Sequence, residues 1–223
     1  MSKSTEWTPE TGAEAPPPPR RGRREALRGA LVLEIASLGY NVVEAGVGIV
    51  AGVAAGSVAL LGFGLDAVVE SASAGVLIWR LGTERRGRRT AEEAERRAIR
   101  LVALAFFALA LYIGGRALFD LANGTRPEET NVGLVLAVVS LLVMPVLARA
   151  KRRAARELDS RSLEGDSAQT MLCTYMSAIL LVGLVANSVA GWWWADPVAA
   201  LVIAGLAARE GRELWVTEDV CCT

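Results

Sequence analysis

Polar positions are sparse along most of this chain and cluster at the edges of long apolar runs. Taking ~20 predominantly apolar residues for each membrane crossing, the pattern predicts helices at about 30–54, 57–80, 98–122, 131–150, 166–190 and 193–215. The expected fold is an all-α membrane protein of six transmembrane helices, with almost nothing left for a soluble domain. Residues 1–27 carry Pro16 to Pro19 and scattered charge without a signal-peptide core, and are expected to form a disordered cytoplasmic tail. Residues 28–216 then form the six-helix transmembrane domain, and 217–223 a short second tail.

Composition supports this: 52% of the 223 residues are hydrophobic, and the formal net charge is zero. That balance hides an asymmetry. Basic residues fall in three blocks, Arg20 to Arg28, Arg80 to Arg100 and Arg149 to Arg161, while the opposite connections offer only Arg126. The positive-inside rule therefore puts both termini and the two longer loops in the cytoplasm. Each block abuts an apolar segment, and Glu84, Glu92, Glu93 and Glu95 dilute the middle one, so a nucleic-acid partner is not expected. Lipid is the expected surroundings, and no nucleotide-binding loop or hydrolytic triad suggests an enzyme.

Several polar residues interrupt the apolar runs. Asp66 and Glu70 lie one turn apart in the second helix, and a carboxylate at mid-depth costs ~2.5–3.5 kcal/mol even on lenient insertion scales. A cation is the natural partner to offset that cost. In the fifth helix Asp166, Gln169 and Cys173 recur at spacings of three and four, on one face. Two helices each presenting a donor pair, Asp66 with Glu70 and Gln169 with Cys173, suit a four-coordinate ion of the kind zinc favours. Interhelical hydrogen bonding and packing are the alternative for Gln169 and Cys173.

The first helix carries Glu34, expected to be wet, and the pair Asn41 and Glu44, which either line a polar pathway or pair structurally. Gly48, Gly52 and Gly56 form a small-residue stripe for close helix packing. Arg116 and Asp120 are spaced for a structural ion pair, Pro145 for a kink in the fourth helix, and Asp196 with Pro197 for capping the sixth. Cys221 and Cys222 end the chain beside Glu218 and Asp219. They suit cytoplasmic metal capture, reversible acylation or an inert tail.

The run Ser57, Ala59, Leu60, Leu61 leading to Asp66 and Glu70 resembles the second transmembrane helix of the cation diffusion facilitator family, in which two metal ligands lie four residues apart. Trp194-Ala195-Asp196-Pro197-Val198-Ala199-Ala200-Leu201 resembles the start of that family's sixth helix, and Ser160 to Leu163 with Asp166 the approach to its fifth. The resemblance spans the six-helix region. It implies Asp66 and Glu70 as metal ligands, with Gln169 and Cys173 at the positions where the family carries His or Asp; this chain has no histidine.

It further implies efflux of a divalent metal, Zn²⁺ first and Cd²⁺ or Co²⁺ next, by proton antiport across a bacterial inner membrane, with no permanently bound cofactor. Asn41, Glu44, Asp166 or water would assist at the site. The chain runs only to Thr223, so it looks like the subgroup without the family's cytoplasmic domain, and the implied homodimer would rest on membrane helices. A non-transporting membrane protein that senses metal or binds a partner, and a proton-coupled exporter of organic cations, remain open beside this reading.

Overall fold

The computed structural model describes residues 20–85, 92–128 and 130–220. Among them the chain forms six helices and no strand: α1 (Arg20–Ala55), α2 (Val58–Arg85), α3 (Glu92–Asn123), α4 (Asn131–Leu158), α5 (Arg161–Ala190) and α6 (Ala195–Val220). Each apolar run expected to cross a membrane falls in one helix, except that Ser57 precedes α2 and Trp193 with Trp194 form a turn before α6; most of the helices extend past the predicted bounds. α1 has 36 residues, about 54 Å at ~1.5 Å per residue, against ~30 Å of hydrocarbon. Hydropathy marks the apolar middle, whereas backbone hydrogen bonding carries the helix on into charged flanks. α1 thus starts at Arg20, inside the segment expected as a tail, and α6 runs to Val220.

Five helices, α1 to α5, are long and apolar enough to cross a membrane. α6 is apolar from Pro197 to Ala208 and then meets Arg209, Glu210, Arg212 and Glu213. The bundle is apolar outside: Val32, Val50, Leu111, Leu142 and Val182 are exposed. Its interior holds Glu34, Asn41, Glu44, Asp66, Glu70 and Lys151, all buried. That inversion suits a lipid surround, in which internal polar groups must find partners within the protein.

α1 packs most extensively on α2, α4 on α5 and α3 on α6. Backbone proximity drives the first contact. A Cβ at Gly52 would lie 2.6 Å from Leu61 N, and one at Gly64 would lie 2.6 Å from Ile49 N. Gly48 and Gly52 thus serve as the predicted stripe, with Gly64 as their counterpart on α2. Gly56 does something else: it turns the chain between α1 and α2 at φ +64°, and a Cβ there would meet nothing within 4 Å.

α2 begins with a cap shared between helices. Ser57 Oγ accepts from Leu60 N at 3.1 Å and donates to Asp196 Oδ1, whose other oxygen accepts from Val58 N at 2.9 Å and Ala59 N at 3.4 Å. Asp196, expected to cap its own helix, therefore caps α2 from across the bundle, because Ala195 already starts α6 and leaves its carboxylate in the first turn. α4 continues through Pro145, starting from Thr130, whose hydroxyl accepts from Gly133 N at 3.2 Å. Arg116 and Asp120 pair at 3.3 Å as expected.

Two apolar clusters fill the bundle. The larger contains Phe63, Phe106, Ile113, Met144, Met176 and Ile203. The smaller contains Leu27, Leu31, Leu77, Leu81, Leu158 and Leu163, at the end where α1 begins, α2 and α4 finish and α5 starts.

Candidate metal centre

α2 contributes Asp66 and Glu70 from successive turns, and α5 contributes Cys173 from the facing helix. One donor atom of each lies within 4.8 Å of the others, and all three residues are buried. A tetrahedral ion bonded at ~2.0–2.3 Å holds its donors roughly 3.3–3.8 Å apart. The cluster therefore fits a zinc-sized ion after closing by about an ångström. Gln169, one turn before Cys173 on α5, is buried, and its Nε2 has no hydrogen-bond partner among the described residues.

Side chains that the sequence reading passed over support this cluster. Thr170 Oγ1 lies 3.0 Å from Glu70 Oε1 and 3.0 Å from the Asp166 carbonyl, so its single proton is shared between a site carboxylate and the α5 backbone. Ser177 Oγ donates to the Cys173 carbonyl at 2.8 Å. Glu70 Oε2 has no partner among the described residues. An unpaired buried polar atom costs about 1–3 kcal/mol, so its persistence beside two other donors points to a ligand-accepting position.

The polar face of α1 runs alongside. Glu34, Ser37, Asn41 and Glu44, spaced three, four and three residues apart, are all buried. Glu34 is thus fully enclosed where the sequence suggested a wet residue, because it lies about four turns into α1 on the face that packs against α2 and α4. Glu44 accepts from Ser140 Oγ, which in turn lies 2.8 Å from Tyr40 OH. Both polar atoms of the Asn41 side chain and Glu44 Oε2 have no partner among the described residues.

Asp166 stands about two turns before Cys173 on α5, outside the cluster, and is ion-paired. Its Oδ2 lies 2.6 Å from Lys151 Nζ, and Glu34 Oε2 lies 3.3 Å from the same nitrogen. Lys151, counted in the sequence as one of a basic block, is fully buried. The signal that separates it from its neighbours is register. Gly133, Ala137, Ser140, Met144, Ala148, Lys151, Ala155 and Leu158 form the buried face of α4, and Arg149, Arg152, Arg153 and Arg156 fall off it. Cys221 and Cys222 lie outside the described residues.

Residues 35–217 match the cation efflux transmembrane domain. A cation-efflux pump named FieF from Shewanella oneidensis is 30% identical over 106 residues, covering 48% of this chain and 34% of that protein. An uncharacterized transporter, sll1263, from Synechocystis sp. is 28% identical over 172 residues, covering 75% of this chain and 56% of its own length. The chain thus spans between a third and just over half of the curated relatives it matches. With its apolar exterior and spanning helices, it is an integral membrane protein of the bacterial inner membrane. The family match covers most of the chain, and the protein belongs to the cation efflux family through its transmembrane domain.

Proposed function

We propose that this protein exports a divalent metal cation, Zn²⁺ foremost and Cd²⁺ or Co²⁺ next, in exchange for protons. Asp66, Glu70 and Cys173 are the ligands, and Gln169 supplies the fourth. The observation that carries the reading is the convergence of two carboxylates and a thiol from two helices on one buried point. A thiol among the donors favours soft or borderline ions over Mg²⁺ and Mn²⁺. The name of the Shewanella relative, a cation-efflux pump, supports the same direction.

Proton coupling follows from ligand chemistry. Donors bind metal in their deprotonated form, so metal arrival releases protons and proton arrival releases metal. Helix groups rocking about a fixed mid-membrane site then alternate its exposure. In this reading α6 is the sixth crossing, both termini are cytoplasmic and Asn41 and Glu44 line the path. A homodimer joined through membrane helices and a cytoplasmic capture role for Cys221 and Cys222 complete the proposal.

The test is Zn²⁺ uptake into proteoliposomes across an imposed pH gradient, comparing wild type with Asp66→Ala and Glu70→Ala. Gradient-dependent uptake in the wild type, lost in both variants, is expected. Uptake absent from the wild type, or equal in all three, overturns the proposal and favours a sensor or an organic-cation exporter.

A further inference from the structure

Lys151 is the one buried cation among the described residues, set in an interior that buries Glu34, Glu44, Asp66, Glu70 and Asp166. Three helices meet at its ammonium group: Glu34 from α1 and Asp166 from α5 lie 3.3 and 2.6 Å from Nζ. The pairing is incomplete. Among the described residues Glu34 Oε1 and Asp166 Oδ1 have no partner, and Glu34 Oε2 meets the Lys151 ammonium without forming an aligned hydrogen bond. Two carboxylates face one ammonium, which leaves the cluster short of positive charge when all are ionised. Buried ion clusters of this kind add little to stability compared with apolar packing, so a packing role alone does not account for it.

Its location gives it a role. Leu31 precedes Glu34 by three residues, Leu163 precedes Asp166 by three, and Leu158 follows Lys151 by seven; all belong to the smaller apolar cluster that closes that end of the bundle. On the other side, Thr170 links the Asp166 carbonyl to Glu70 Oε1 at 3.0 Å each. The order along the bundle is therefore apolar plug, ion triad and metal cluster.

We propose that Glu34 and Asp166 form a second, transient station for a divalent cation between the plug and the metal cluster, and that the Lys151 ammonium occupies it at rest as a tethered competitor. This rests on the metal reading of Asp66, Glu70 and Cys173. An incoming ion carries twice the charge of the ammonium and displaces it from the two carboxylates. Lys151 then returns as the ion moves on to Glu70, which keeps the station weak and stops metal from resting there. The carboxylates that hold the lysine are thus the ones that hand over the cargo.

Cd²⁺ binding to detergent-purified full-length protein, counted by equilibrium dialysis, tests this. The wild type is expected to hold one equivalent, Asp66→Ala none, and Asp66→Ala with Lys151→Gln one again, because the freed Glu34 and Asp166 now retain metal. Adding Glu34→Gln to that double variant should weaken the regained binding at least tenfold. A monodisperse double variant that binds nothing, beside a wild type that binds one equivalent, overturns the station and leaves the main site standing. A wild type that binds nothing overturns both.

Should Lys151→Gln aggregate, Glu34→Gln alone decides, since Asp166 still holds the lysine in that variant. Zn²⁺ uptake should then show KM raised about tenfold with kcat within twofold, and equilibrium Cd²⁺ affinity at the main site unchanged. Unchanged KM overturns the proposal.

Discussion

Gly64→Ala tests the link between helix packing and the proposed metal centre. A Cβ at Gly64 would stand 2.6 Å from Ile49 N and 2.8 Å from the Gly48 carbonyl carbon, against an ordinary contact of at least 3.4 Å. Both obstacles are backbone, so no rotamer change relieves them, and α1 and α2 must part by about 0.8 Å. Overpacking of this sort costs about 1–3 kcal/mol. Asp66 lies two residues on from Gly64, about 200° around the helix, so the displacement pushes the ligand face of α2 as a body. Metal sites tolerate only about 0.2 Å in donor distance.

Zn²⁺ affinity should therefore fall about tenfold, equivalent to ~1.4 kcal/mol, together with a lower melting temperature in detergent. Titration calorimetry and a thermal-shift measurement read the two effects. Gly75→Ala, on the same helix, is the control: a Cβ there meets nothing within 4 Å. It should leave binding intact and stabilise α2 by up to ~1 kcal/mol through helix propensity. A Gly64→Ala protein with wild-type affinity and melting temperature would refute the argument that α1 sets the position of the ligand face.

Asp196→Ala should destabilise the fold by about 1–3 kcal/mol, since it strips the acceptor from Ser57 Oγ, Val58 N and Ala59 N at the start of α2; Asp196→Asn should recover part of that loss, and an unchanged melting curve for the alanine variant would remove the cross-bundle cap. Cys173→Ser exchanges a soft donor for a hard one, so the ratio of Cd²⁺ to Zn²⁺ uptake should fall roughly tenfold; an unaltered ratio removes Cys173 from the ligand set. Zn²⁺ affinity should fall as pH falls, about tenfold per pH unit for each proton released on binding; calorimetry in buffers at pH 7 and 6 measures it, and a flat profile argues against antiport.

The sequence alone shows which positions cannot rest in lipid, and helical spacing shows which of them share a face. That Asp66, Glu70, Gln169 and Cys173 turn inward was legible for that reason, as were the apolar spans and the Gly48 and Gly52 contact. Partner choice was not legible, because it depends on which helix stands opposite. Asp196 reads as a cap for its own helix until α2 is seen to start beside it, and Glu34 reads as wet until α2 and α4 cover it.

Lys151 is the instructive case. As one member of Lys151, Arg152 and Arg153 it has the composition of a topology signal, and a charge count treats all three alike. Only the register of the small residues around it, Ala148 and Ala155 on the buried face of α4, turns that one cation inward. In a membrane bundle, then, the informative basic residue is the one that falls on the small-residue face. Here it stands between two acids that the sequence treats as independent, and one of them, Asp166, reads from spacing as an auxiliary residue beside the fifth-helix pair rather than as a partner of Lys151.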